Sequence, residues 1–212
     1  MRPYMDREAA IDDFLEKYVF GRWEEDIPLI GQAYEKNQAE IEDGLLNAVD
    51  GVCRKAILLQ EQQLKGDIQY LYFTLLRTSL LERKVCYRID VYDHRWYLDR
   101  VECAARWEAD FIFDPLFRRM DGLEAARLGY ARKISAMDLD RILQIVAVYY
   151  HSFAVEFIRT LVPDLLQSEG FGAMRKRPDF LVLAGEYLDQ SEVLFGPLEP
   201  DLDSDRSEAG GM

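Results

Sequence analysis

From Asp138 to Leu161 the chain is apolar on nearly every side of a helix, and this stretch constrains the fold more than any other. Ile142, Ile145, Val146, Tyr149, Phe153 and Phe157 are spaced for one helical face. Ala147, Val148, Ala154, Val155 and Ile158 cover much of the rest. A helix of this kind belongs in a core, so other elements must be wrapped around it. A chain of 212 residues is long enough to do so as one domain without a disulfide or metal staple.

Helical spacing recurs elsewhere. Ile11, Phe14, Leu15, Tyr18 and Val19 predict a first helix over about 6–20. Pro28 opens a long segment in which Ile30, Tyr34, Ile41, Leu45, Val49, Val52 and Ala56 form a narrow apolar stripe among charges. It reads as one helix or two, broken near Gly44 or Gly51. Ile68 to Arg83 carries a 3-4 pattern that predicts a central helix. Pro115 sits inside another helical pattern that resumes near Glu102, and a last helix is predicted over about 179–195.

The period changes once. Val85, Tyr87, Ile89 and Val91 alternate with Cys86, Arg88, Asp90 and Tyr92, and Asp93-His94 offers a turn before Trp96 and Leu98. This predicts a β-hairpin that sets Val91 against Trp96, Ile89 against Leu98 and Arg88 against Asp99. The expected fold is therefore mainly α: a bundle of about six to seven helices with one inserted β-hairpin at about 85–99. Residues 1–195 form the single helical domain. The Pro-, Asp-, Ser- and Gly-rich 196–212 form an acidic tail expected to be disordered.

Charge narrows the partners. The net charge is −13, of which −4 falls from Glu199 onward. Such a chain is repelled by phosphate backbones and anionic bilayers, so no nucleic acid and no membrane partner is expected. Cys53, Cys86 and Cys103 are odd in number and widely spaced, and the first residues lack an apolar secretion signal. Free thiols in a cytoplasmic protein are the expectation.

Few residues suggest chemistry. Glu156 follows Tyr149 by seven residues and shares a helical face with it and Ser152, while Arg77 sits in the other strongly apolar helix. An unpaired buried carboxylate is costly. Three readings follow: Arg77 and Glu156 meet in the core as a structural ion pair, Glu156 reaches solvent, or the two form with Tyr149 and Ser152 the polar floor of a small-molecule pocket. His151 reads as a core histidine hydrogen-bonded to a backbone or hydroxyl group. The carboxylates Glu102, Asp110 and Asp114 read as a solvated face, and Arg175-Lys176-Arg177 as a solvated loop. His94 and His151 are too isolated for zinc, so neither a metal nor another cofactor is expected. No phosphate-binding glycine loop and no nucleophile elbow is present.

Two functions fit this pattern. The favoured one is a non-catalytic helical module that binds a protein partner or a small effector, with the 28–64 helix as a docking or homodimer face. The alternative is a small enzyme with a bundle-core pocket that uses Arg77 and Glu156.

Overall fold

Asp6 stands one residue ahead of the first helix, α1 (Arg7–Tyr18), and its carboxylate accepts the Ala9 amide at 2.8 Å, the cap that a short acid supplies best. The computed structural model describes residues 5–186 and 190–197. Gly21 takes φ 69°, a left-handed conformation that a glycine adopts without strain, and turns the chain into a 3-10 segment, Arg22–Asp26. α2 (Ile27–Glu61) starts at once, with Pro28 in its first turn. It is one element. Its irregular residue is Asn37, at φ −126° and ψ 25°, rather than either glycine.

The chain then enters a sheet. β1 (Ile68–Leu75) is followed by the short α3 (Arg77–Leu81), β2 (Cys86–Asp93), a 3-10 turn at Trp96–Leu98, and β3 (Ala104–Glu108). α4 (Asp110–Arg127), α5 (Ala136–Leu165) and α6 (Glu169–Ala173) lead to β4 (Lys176–Glu186) and β5 (Ser191–Phe195). The five strands lie in the order β3-β2-β1-β4-β5. β1 and β4 run parallel, and the other neighbours are antiparallel.

This architecture overturns the expected all-helical bundle with one hairpin. The segment read as a helix over 68–83 is mostly β1, and that over 179–195 is β4 and β5. Both β1 and β4 are interior strands with apolar residues on both faces, so their alternation is hidden and a 3-4 pattern is met by accident. The stretch 85–92 is a strand, as its alternation indicates, but not half of a hairpin. Val91 pairs with Leu71, Ile89 with Phe73 and Arg88 with Thr74 across to β1. On its other side Ile89 pairs with Ala105 of β3, a segment read as helical. A lone hairpin is marginal in water, and the sheet removes that difficulty by giving β2 two partners.

Strand alternation sorts the sheet's faces. Leu71, Phe73, Tyr87, Ile89, Val182 and Ala184 join the core that the helices cover. The other face carries Tyr70, Tyr72 and Tyr92, over which Trp96 lies, with its ring centroid 3.8 Å from that of Tyr70. α5 is the long apolar core helix that the sequence announces, opened by a Ser135–Asp138 capping box and running through Pro163. By length and composition alone it could cross a membrane. Here its inner side packs against α4 and its outer side remains open. Of the acidic tail expected over 196–212, all but Gly196 and Pro197 lie outside the described residues.

Candidate functional site

The outer side of α5 holds the largest apolar exposure near the residues that the sequence singles out. Ile145 is 67% exposed, Val148 50% and Tyr149 44%, all in the middle of the helix. The turn created by Gly21 lays Arg22–Asp26 alongside. Trp23 stacks on Tyr149 with ring centroids 4.6 Å apart and planes 5° from parallel. Phe20, 65% exposed, lies at the same edge. Between them Phe20, Trp23, Ile142, Ile145 and Tyr149 line a small apolar cavity of about 140 Å³. A contiguous exposed apolar patch of this kind marks interaction surfaces rather than folding needs.

Tyr149, Ser152 and Glu156 do share a helical face, and it is this outer one. Ser152 donates to the Val148 carbonyl at 3.1 Å, and Glu156 is exposed and accepts from Arg159 at 3.3 Å. Arg77, also exposed, pairs with Glu186 at the end of β4. The structure thus keeps Arg77 and Glu156 apart, each with a different partner. The 28–64 stretch, most of it α2, exposes Leu29, Leu58 and Leu64, with Ile27 just ahead of it, at its two ends and without a continuous apolar stripe toward solvent. Tyr34 turns inward on Phe111 and Phe157.

Three polar clusters lie elsewhere; sequence reasoning missed the first two, while the third holds the core histidine, His151, bonded to a hydroxyl as expected. The first ties the start of α2 to α4 and α5. Asp26 accepts from Arg119 Nε at 2.9 Å and Nη2 at 2.7 Å, and from the Tyr150 hydroxyl at 2.5 Å. The second lies between the end of α2 and the β2–β3 connection. Lys65 donates to Asp99 at 2.5 Å and to the Val101 carbonyl at 2.9 Å, with both charged side chains fully buried. Burial raises the neighbouring Asp93 carboxyl, but the Arg95 guanidinium and the Arg95 and Gly66 amides outweigh it and hold the group at about 2. A polar cavity of about 540 Å³ opens here, lined by Gln60, Gln63, Asp93, Arg95 and Arg175. The signal available in the sequence was the run of acids and bases at 90–102, too dense for a hairpin turn alone.

The third cluster lies where β1 and β4 end. The buried Tyr87 hydroxyl stands 2.6 Å from His151 Nδ1. Its proton needs an acceptor, and the imidazole is the one at hand, so Tyr87 donates to Nδ1 and the neutral ring carries its proton on Nε2. Burial lowers the His151 pKa. Glu186 and Glu192 oppose that shift, and Arg77 reinforces it. Protonating the ring would also strand the Tyr87 proton. His151 therefore stabilises the fold above the ordinary histidine pKa near 6.5, and this contribution is lost as pH falls below it toward the depressed folded value. Between pH 7.5 and 5.5 the wild type is expected to lose more stability than His151→Asn. Parallel urea midpoints for the two chains across that range would remove the linkage.

The thiols are poor nucleophiles. Burial pushes Cys53 up to about 12 and Cys103 to about 11, and Cys86 is also raised by burial. Among the described residues no three His, Cys, Asp or Glu side chains gather where a metal ion could bind. Asp110 has its pKa raised, first by burial and then by the charge of Asp114. Every buried side-chain nitrogen and oxygen among the described residues has a hydrogen-bond partner. No known protein family, curated protein or solved structure matches this chain.

Proposed function

We propose that this chain is a non-catalytic interaction module that docks a protein through the outer face of α5. The observation that carries the reading is the exposed stripe Ile145, Val148 and Tyr149, continued sideways by Trp23 and Phe20. Interface centres are enriched in tryptophan, tyrosine and phenylalanine, and the stacked Trp23–Tyr149 pair supplies two rigid aromatic anchors. The satisfied polar clusters support the same reading, because each one holds elements together and none leaves a buried polar group waiting for a substrate.

The chemistry of Arg77 and Glu156 gains no support from their separate pairings. A cytoplasmic setting fits the unreactive thiols and belongs to the same proposal.

The test compares the wild type with the double variant I145D/Y149D. Both side chains are substantially exposed, so the melting temperature should stay within a few degrees of wild type. Affinity capture from the source cells, with identification of what is retained, should lose its specific partner in the variant. Equal retention of the same partner by both chains overturns the assignment of this face.

A further inference from the structure

We propose that the protein docked on this face is a second copy of the same chain, with the two α5 helices packed antiparallel across a two-fold axis between Val148 and Tyr149. The inference rests on the reading of α5 as the docking face, and it adds the identity and register of the partner. Its basis is charge complementarity along one helical stripe.

The outer stripe of α5 runs Arg141, Ile145, Val148, Tyr149, Ser152, Glu156. Opposite charges stand at its two ends, with apolar side chains between them. Arg141 is exposed and makes no hydrogen bond or ion pair with the described residues. Glu156 is 66% exposed, and its bond to Arg159 is long at 3.3 Å, while Arg159 holds Glu192 closer, at 2.6 Å. Arg141 is thus unpaired among the described residues, and Glu156 is held by a single long contact that a closer partner can replace.

A symmetric parallel pairing sets each residue against itself, Arg141 on Arg141 and Glu156 on Glu156, and is repulsive. The antiparallel pairing reverses this. With the axis between Val148 and Tyr149, Val148 faces the second copy's Tyr149, Ile145 faces its Ser152, and Arg141 faces its Glu156. Each contact occurs twice by symmetry. The small Ser152 opposite Ile145 leaves room for close approach of the helices, and the charges lie at the rim, where ion pairs set register. Phe20 and Trp23 widen the contact beyond one helix. The interface remains small, so a roughly micromolar dissociation constant is expected.

Three measurements on the full chain test this. Light scattering behind size exclusion should give a dimer at high concentration that dissociates on dilution, and I145D/Y149D should be monomeric throughout. Val148→Cys lies within one residue of the axis and should form an intermolecular disulfide under mild oxidation, while Asp43→Cys, on the exposed side of α2, should not. R141E alone should weaken the dimer by about tenfold, and the charge swap R141E/E156R should restore it.

A wild type that stays monomeric at several hundred micromolar overturns the second copy as partner. The docking face itself then stands or falls on the capture comparison, so the two failures are distinct. A dimer that survives I145D/Y149D, or that leaves V148C uncrosslinked, overturns the α5 register directly.

Discussion

Replacing Lys65 with methionine is expected to lower the unfolding free energy by roughly 3–5 kcal/mol, the loss typical of leaving one member of a buried ion pair alone. The Lys65 and Asp99 side chains are both fully buried. Without the ammonium, the Asp99 carboxylate keeps only the Asp93 amide at 3.3 Å, the Val101 amide at 3.1 Å and Arg95 at 3.4 Å. Those donors are too few and too long to replace a charge at 2.5 Å.

The damage should spread. Asp93 grips Arg95 and accepts the Gly66 amide, and the Gln60 side chain amide bonds the carbonyls of both Gly66 and Arg175. The end of α2, the start of β1 and the start of β4 are thus tied to one polar hub. The double variant K65M/D99L removes both charges and should recover part of the loss, since apolar replacement of a whole buried pair is often close to neutral. Urea unfolding followed by circular dichroism decides. A loss under about 1 kcal/mol for K65M would mean that water reaches Asp99 and that the pair behaves as a surface one.

The parts of this fold that were legible in the sequence are those whose two sides differ. α1 declares itself through Asp6 and its single apolar stripe, and β2 through the strict alternation of Tyr87, Ile89 and Val91 with Arg88 and Asp90. β1 and β4 lack such a difference. Tyr70 and Tyr72 lie under Trp96 on one face while Leu71 and Phe73 enter the core on the other, so the run 70–73, like 180–184 of β4, is apolar at every position and its period cannot be read. Their parallel pairing depends on segments more than a hundred residues apart, which no local pattern displays.

The same ambiguity governs the site. α5 has two apolar stripes, and the sequence alone ranks the one with Ile145 and Tyr149 as inner. Of that expected face the structure buries Ile142 and Val146 and packs Phe153 and Phe157 against the core, but it leaves Ile145 and Tyr149 open and completes the buried side with Leu139, Leu143, Tyr150, Ala154 and Ile158. A signal was present: Arg141, Gln144, Ser152 and Glu156 fall on one stripe and mark it as the solvent side. Ile145, Val148 and Tyr149 then stand out as apolar residues in the middle of a polar stripe. The pairing of Arg77 with Glu186 had no local signal at all, because a strand end 109 residues away supplies the partner.

Replacing Asp26 with leucine is expected to cost about 3–5 kcal/mol, and Tyr150→Phe only about 1.5–3 kcal/mol. The difference follows from what each change leaves behind. Asp26→Leu leaves the Arg119 guanidinium, only 16% exposed, with just its long 3.4 Å contact to the exposed Glu25, and leaves the hydroxyl of the fully buried Tyr150 without its acceptor. Tyr150→Phe removes one donor and leaves Asp26 still held by two bonds from Arg119. The two changes should also differ at the surface. Consecutive residues of α5 grip the Arg22–Asp26 turn from both sides, Tyr150 holding Asp26 from within and Tyr149 stacking on Trp23 outside. Loosening Asp26 should therefore release Trp23 from Tyr149 and red-shift its fluorescence at denaturant concentrations below the unfolding transition, while Tyr150→Phe should shift it less. If Asp26→Leu and Tyr150→Phe destabilise equally and leave Trp23 fluorescence unchanged, the turn is held by its own backbone, and the buried cluster has no hold on the exposed aromatic pair.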